Sequence, residues 1–176
     1  MFLQVIEIRK RMHGMDHLDT LSSIANLAST YIDQGDLNAV ELEMMEDLVY
    51  RLRDNVQILE EEVVQVARSF GKKMLTLLLD LRRDNVPITE RVVEAAVRNG
   101  GSGKEIMTLL LNQRGSDVPI TEGVVKAAAE SHGSGKEIIT LLLDRRGDDV
   151  PITKGVVEAA AENRWSGKEI ITLLLD

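Results

Sequence analysis

The chain has 176 residues, enough for one domain with a sizeable core or for two small ones. Its net charge of −8 argues against a nucleic-acid-binding protein, because such a protein presents a basic face to phosphates. The absence of cysteine excludes disulfides, thiolate metal sites and cysteine nucleophiles. The apolar runs are too short to span a membrane, and the N-terminus lacks the pattern of a signal peptide, so we expect a soluble, cytoplasmic protein.

The first 48 residues are predicted to form a helical hairpin. Apolar side chains recur at helical spacing from Leu21 to Tyr31, Gly35 interrupts the pattern, and Asp36 can cap a second helix. Residues 1–70 carry 13 acidic and 6 basic side chains, whereas the rest of the chain is nearly neutral. A partner selected by charge is therefore expected to favour the N-terminal part.

The remaining part, residues 49–176, contains a repeat with a period of 32 residues. Four glycines mark the period, each followed by a lysine and then by a run of apolar residues: Gly71, Gly103, Gly135 and Gly167. A fixed period of this length is typical of a solenoid, in which each unit buries its apolar side against its neighbours. We therefore predict an all-α superhelix of stacked helical hairpins.

Each repeat is predicted to contain two helices. The first helix follows a serine, and a glutamate three residues after that serine would complete a capping box. The residues with this spacing are Ser102 and Glu105, Ser134 and Glu137, and Ser166 and Glu169. The helix is predicted to end at a glycine in the left-handed region, Gly115 or Gly147. The second helix is predicted to begin after Thr121 or Thr153 and to run to Glu130 or Glu162.

The short link between consecutive helices differs from one repeat to the next. It consists of Asn99-Gly100-Gly101, Ser131-His132-Gly133 and Asn163-Arg164-Trp165. Repeat proteins place recognition in variable loops on a constant frame, and Trp and Arg are enriched among interface hot spots. The candidate partner-binding residues are therefore Trp165, Arg164, Asn163, His132 and Ser131. A second interpretation is that the ring of Trp165 covers apolar surface at the end of the array.

The sequence contains no catalytic constellation, and it predicts no enzyme, no cofactor and no metal site. Gly101-Ser102-Gly103-Lys104 is similar to part of a phosphate-binding loop, but Arg98 and Glu105 stand where the full motif requires glycine and Ser or Thr. His13 and His17 have the spacing of metal ligands on a helix, but the glycine between them indicates a turn.

Residues 3–47 resemble a tetratricopeptide repeat of the kinesin-light-chain type, as found in fungal NOD-like (STAND) receptors. The likeness is carried by Gly14, His17, Asp19-Thr20-Leu21, Asn26-Leu27-Ala28, Tyr31, Gln34-Gly35 and Glu41-Leu42-Glu43. This sequence departs from the family's pattern at Leu18, where the family usually has proline, and at Ala39, the small residue of the second helix, which comes one position early. The likeness covers about one and a half repeats.

Residues 54–176 resemble the ankyrin-like repeats of the same receptors. The likeness is carried by Ala127-Ala128-Ala129, Leu141-Leu142-Leu143, Gly147 and Asp149-Val150. The Thr-Pro-Leu-His tetrapeptide of ankyrin repeats is absent, and the segment that would form the β-hairpin finger is too short. We therefore expect helices joined by turns, with little or no β structure.

The resemblance implies a protein-recognition scaffold, the ligand-sensing repeat module of a larger receptor whose nucleotide-binding domain is absent from this chain. We expect a protein or peptide partner, and neither nucleic acid nor a membrane. The alternative is an array that assembles with itself, because no capping helix follows Leu173-Leu174-Leu175 and the last repeat could dock on another copy. A fragment of a longer array would show the same ragged ends.

Overall fold

The structure, a computed structural model, describes residues 58–82 and 85–175. All of them except Ile58 belong to one compact unit, Leu59–Asp176, and the described residues form eight α-helices and no strand. The helices are α1 (Glu60–Ser69), α2 (Lys72–Arg82), α3 (Glu90–Val97), α4 (Gly103–Arg114), α5 (Glu122–Glu130), α6 (Gly135–Arg146), α7 (Lys154–Glu162) and α8 (Gly167–Leu175). The predicted hairpin of residues 1–48 lies outside the described residues.

The helices pack in two rows. In the first row α1, α3, α5 and α7 follow one another, and in the second row α2, α4, α6 and α8 do the same. Each first-row helix also packs against the second-row helix that follows it in the chain. This arrangement is an α-α solenoid of stacked hairpins, and it confirms the fold class predicted from the repeat.

The core of the solenoid is aliphatic. Adjacent residues such as Ile138 and Ile139 of α6 are both fully buried, which is possible only for a helix with neighbours on more than one side. First-row helices contribute small side chains instead, such as the buried run from Ala127 to Ala129 in α5. The small side chains let the two rows approach closely, and the large ones fill the space between successive repeats.

Glycine at the start of the second-row helices is required by this close approach. A Cβ atom on Gly135 would lie 2.3 Å from the carbonyl oxygen of Ala128, and one on Gly167 would lie 2.2 Å from that of Ala160. These distances are far below a van der Waals contact. Gly135 and Gly167 are therefore packing residues of the last two hairpins, whereas a Cβ atom on Gly71 would meet only an ordinary contact at 3.5 Å.

The predicted ends of the helices are confirmed. Gly115 and Gly147 follow α4 and α6 with φ angles of 54° and 49°, a region that favours glycine. Short 3₁₀ turns, Gly115–Asp117 and Gly147–Asp149, then lead into the next first-row helix. The hydroxyls of Thr121 and Thr153 cap α5 and α7 by accepting hydrogen bonds from the amides of Val124 and Val156, at 3.4 and 3.3 Å.

The predicted capping boxes are wrong at Ser102 and Ser134. Both residues precede a helix, but their ψ angles of 15° and 16° are not those of the extended backbone that aims an N-cap side chain at the helix. Neither side chain accepts a hydrogen bond from the helix, and the hydroxyl of Ser134 is buried without a partner. The amides of Ser102 and Ser166 instead donate to an asparagine three residues earlier.

The glutamates of the predicted capping boxes occupy the first turns of the second-row helices. They are exposed there, and their negative charge interacts favourably with the N-terminal end of the helix dipole. These glutamates are Glu105, Glu137 and Glu169.

None of the helices in the described part of the chain has the length and apolar character needed to cross a membrane.

Candidate functional site

The loops that lead from a first-row helix to the following second-row helix contact one another along one edge of the solenoid. They comprise residues 98–102, 130–134 and 162–166, and we call this surface the loop edge. Gly133 lies close to the carbonyl of Gly100 in the preceding repeat, and His132 contacts Trp165 in the following one. The edge is therefore a continuous surface made of one short loop from each repeat.

Two asparagines hold this edge together. Asn99 and Asn163 are 7 % and 9 % exposed, and each side chain makes four hydrogen bonds. The Nδ2 of Asn163 donates to the carbonyls of Ala129 and Ser131 in the preceding repeat, at 2.8 and 3.0 Å. Its Oδ1 accepts from the amides of Trp165 and Ser166 in its own loop, at 2.9 and 3.1 Å.

The same arrangement recurs two repeats earlier, at Asn99, but not in the repeat between them. Asn99 donates to the carbonyls of Ala67 and Phe70 and accepts from the amides of Gly101 and Ser102. We call this four-bond arrangement the asparagine bridge. The equivalent residue of the middle repeat is Ser131, whose side chain makes no such bridge among the described residues. Sequence reasoning placed Asn163 and Ser131 among partner-binding residues, but the amide of Asn163 is committed to the protein's own backbone.

Trp165 is the most exposed large apolar side chain described, with 75 % of its surface accessible. Its ring meets that of His132 in an edge-to-face contact, with centroids 6.4 Å apart and planes at 73°. The two preceding repeats have Gly101 and Gly133 at this position, so the fold does not require a ring there. The second interpretation of Trp165, as a cover for apolar surface at the end of the array, does not fit an indole exposed to this extent.

A groove runs beside the indole. It is lined by His132, Glu162, Arg164 and Trp165 and has a volume of about 600 Å³. His132 also lines a second groove of about 430 Å³ in the preceding repeat, together with Arg98 and Glu130. The structure thus brings together three of the predicted partner-binding residues, Trp165, Arg164 and His132, and adds Glu162.

Sequence reasoning missed Glu162 as a groove residue. Its counterparts in the earlier repeats are Arg98 and Glu130, which pair with each other across adjacent repeats at 3.3 Å. At the next step Glu130 is followed by Glu162, so the pairing cannot be repeated. The side-chain charge at this repeated position changes from positive to negative along the chain, and this change is visible in the sequence. It indicates an unpaired glutamate only once the structure shows which repeats are in contact.

The end of the first-row helices opposite the loop edge is also tied from repeat to repeat. The hydroxyl of Thr153 donates to Glu122 at 2.7 Å, and that of Thr121 donates to Glu90. The guanidinium of Arg146 donates to the carbonyl of Gly115 at 3.1 Å. These side chains are therefore engaged in holding the solenoid together. Among the described residues no group of three or more His, Asp or Glu side chains could hold a metal ion.

Three consecutive stretches of the chain, residues 77–107, 109–138 and 141–170, match one family model, described as Domain of unknown function (DUF7104). The three matches together span just over half of the chain, and the second and third include the residues that line the groove beside Trp165. They support the tandem repeat inferred from the sequence. No curated protein and no solved structure matches the chain.

Proposed function

The chain belongs to the DUF7104 family, whose model matches it three times in tandem, and we propose that it is a protein-interaction scaffold that binds a protein or peptide along the loop edge. The observation that carries the proposal is Trp165, an exposed ring at a position where the two preceding repeats have glycine. Tryptophan is the residue type most enriched among hot spots of protein interfaces.

The setting of Trp165 supports a binding role. Its amide is held by Asn163, which is itself bonded to the preceding repeat, and its ring is in contact with His132. A side chain that is ordered before binding loses less conformational entropy when the partner arrives. The loop edge thus presents an indole that is both exposed and positioned.

We further propose that this scaffold is the ligand-sensing repeat region of a larger, cytoplasmic receptor-like protein. The basis is the resemblance of the chain to tetratricopeptide and ankyrin-like repeats of fungal NOD-like receptors. In that setting the solenoid would bind the ligand and would itself carry no catalytic activity.

The test is affinity capture with the full chain as bait, followed by mass spectrometry and then by calorimetry with the purified captured protein. The variant combines Trp165→Ala, Arg164→Ala and His132→Ala. We expect it to keep the helical circular dichroism of the wild type and to lose affinity by at least about tenfold, since hot-spot side chains contribute more than 1 kcal/mol each.

The matched control is Ile152→Ala, which removes another exposed apolar side chain at the opposite end of α7. This variant should bind as the wild type does. Unchanged affinity of the triple variant for a partner that binds the wild type would show that the loop edge is not the binding surface.

A second candidate function is self-assembly through the last repeat. Leu175 is 70 % exposed, whereas Leu111, its counterpart two repeats earlier, is 5 % exposed. A second copy docked on this face would bury it in the same way. Light scattering decides between the two, because self-assembly requires a mass that rises with concentration and that Leu175→Glu returns to the monomer value.

A further inference from the structure

We propose that the groove beside Trp165 binds a basic side chain, Lys or Arg, of an extended partner peptide. The inference rests on the proposed function, since it names the chemistry of the partner that the loop edge would take. It is drawn from the charges that surround the groove and from the exposed indole that forms one wall of it.

Glu162 supplies the charge. Glu130 occupies the same position one repeat earlier, and Glu158 lies one helical turn earlier on α7. Both already have an ion-pair partner. Glu130 is paired with Arg98 at 3.3 Å, and Glu158 with Lys154 at 3.0 Å. Within the described part of the chain no cation lies within 4 Å of the Glu162 carboxylate. Among the described residues, the groove therefore presents one carboxylate without an ion-pair partner.

Trp165 supplies the surface. The contact with His132 engages only part of the indole, and three quarters of the side chain remains accessible. A Lys ammonium or an Arg guanidinium is attracted to the face of a tryptophan ring. A carboxylate and an indole that line the same groove can therefore bind one cation together, the first by charge and the second by its π face.

Arg164 lies in the same groove but does not neutralise Glu162 in the structure, because the two side chains are not within ion-pair distance. Its guanidinium has five N–H donors and no acceptor, so it can donate to the main-chain carbonyls of a bound peptide. An acidic side chain bound by Arg164 is the competing outcome, and the experiment separates it from a basic side chain bound by Glu162.

Trp165 is the single tryptophan of the chain, so its indole N–H gives one resonance that reports directly on the groove. The probes are four end-blocked pentapeptides that differ only in the central residue, Gly-Gly-X-Gly-Gly with X as Arg, Lys, Glu or Gly. We expect saturable shifts of the indole signal with the Arg and Lys peptides at millimolar concentration, and none with the Glu or Gly peptides.

One variant tests the carboxylate that carries the inference. Glu162→Gln should weaken binding of the Arg peptide by about two- to fivefold, the loss of one exposed ion pair. Glu137→Gln, on the exposed first turn of α6 and outside the groove, serves as the control and should change nothing.

The inference is overturned if the Glu peptide shifts the indole signal and the basic peptides do not, or if Glu162→Gln binds the Arg peptide as tightly as the wild type. Both outcomes leave the loop edge standing as a binding surface for another chemistry. The proposed function fails separately, when a partner captured by the wild type binds the triple variant of Trp165, Arg164 and His132 with equal affinity.

Discussion

The side-chain Nδ2 of Asn163 donates to the carbonyl oxygen of Ala129, 2.8 Å away and one repeat earlier in the chain. The Oδ1 of the same side chain accepts from the amide of Trp165 at 2.9 Å. One buried amide therefore joins two repeats and at the same time fixes the loop that carries the exposed indole. Stability of the solenoid and presentation of its candidate binding residue are coupled through Asn163.

Replacement of Asn163 by alanine should destabilise the protein by about 1–3 kcal/mol, because it leaves buried carbonyl and amide groups without partners. The free energy of unfolding from urea denaturation measures the effect. Arg164→Ala, at the exposed neighbouring position, is the control and should stay within about 0.5 kcal/mol of the wild type. Equal stability of the two variants would contradict the structural role of the asparagine bridge.

Replacement of Ser131 by asparagine should stabilise the protein by about 0.5–1.5 kcal/mol. The middle repeat lacks the asparagine bridge that the repeats on both sides have, and asparagine at this position can form it with the preceding repeat. Ser131→Ala, which removes the hydroxyl without adding an amide, should leave the midpoint of urea denaturation nearly unchanged. A midpoint of Ser131→Asn at or below that of Ser131→Ala would show that the bridge does not form there.

Replacement of Gly135 by alanine should destabilise the protein by about 1–3 kcal/mol, because the added methyl would lie 2.3 Å from the carbonyl oxygen of Ala128 and the helices would have to separate. Gly100→Ala is the matched control, since nothing lies within 4 Å of its added methyl. Thermal denaturation followed by circular dichroism should show a lower midpoint for the first variant alone. Similar midpoints would mean that the two rows pack less closely than the structure indicates.

The ion pair between Glu61 and Arg91 should make a small, pH-dependent contribution to stability. The guanidinium of Arg91 lies 2.6 Å from the carboxylate and lowers the pKa of Glu61, first by its hydrogen bond and then by its charge. A carboxylate with a lowered pKa stabilises the fold above its unfolded pKa, and the contribution is lost as pH falls through its folded pKa. The wild type should therefore exceed Glu61→Gln in stability at pH 7, and the difference should shrink below about pH 4.

The measurement for this pair is urea denaturation of both proteins at pH 7 and pH 3.5. The same comparison in an Arg91→Gln background removes the partner, so there the pH-dependent difference should disappear. If the pH-dependent difference in stability persists in that background, the pKa of Glu61 is lowered by a group other than Arg91.

The regular features of the solenoid could be predicted because they depend on neighbours in the chain. The spacing of apolar residues predicted the helices, Gly147 predicted the end of α6, and Thr153 predicted the start of α7. The prediction of capping boxes was wrong at Ser102 and Ser134, because the backbone of these loops depends on contacts with residues far away in the chain. The amide of Ser102 donates instead to Asn99, whose side chain is bonded to the preceding repeat, and the backbone at Ser134 is likewise not extended.

The sequence by itself determined a repeat of 32 residues, an all-helical fold and the variable loops as the place to look for a binding surface, because each of these is encoded in local spacing. Only the tertiary structure decided what the loop residues do. It committed Asn163 to the backbone of the preceding repeat, left Trp165 exposed beside His132, and placed no cation of the described residues within ion-pair distance of Glu162. These properties depend on contacts between residues about one period apart, which local spacing along the sequence does not encode.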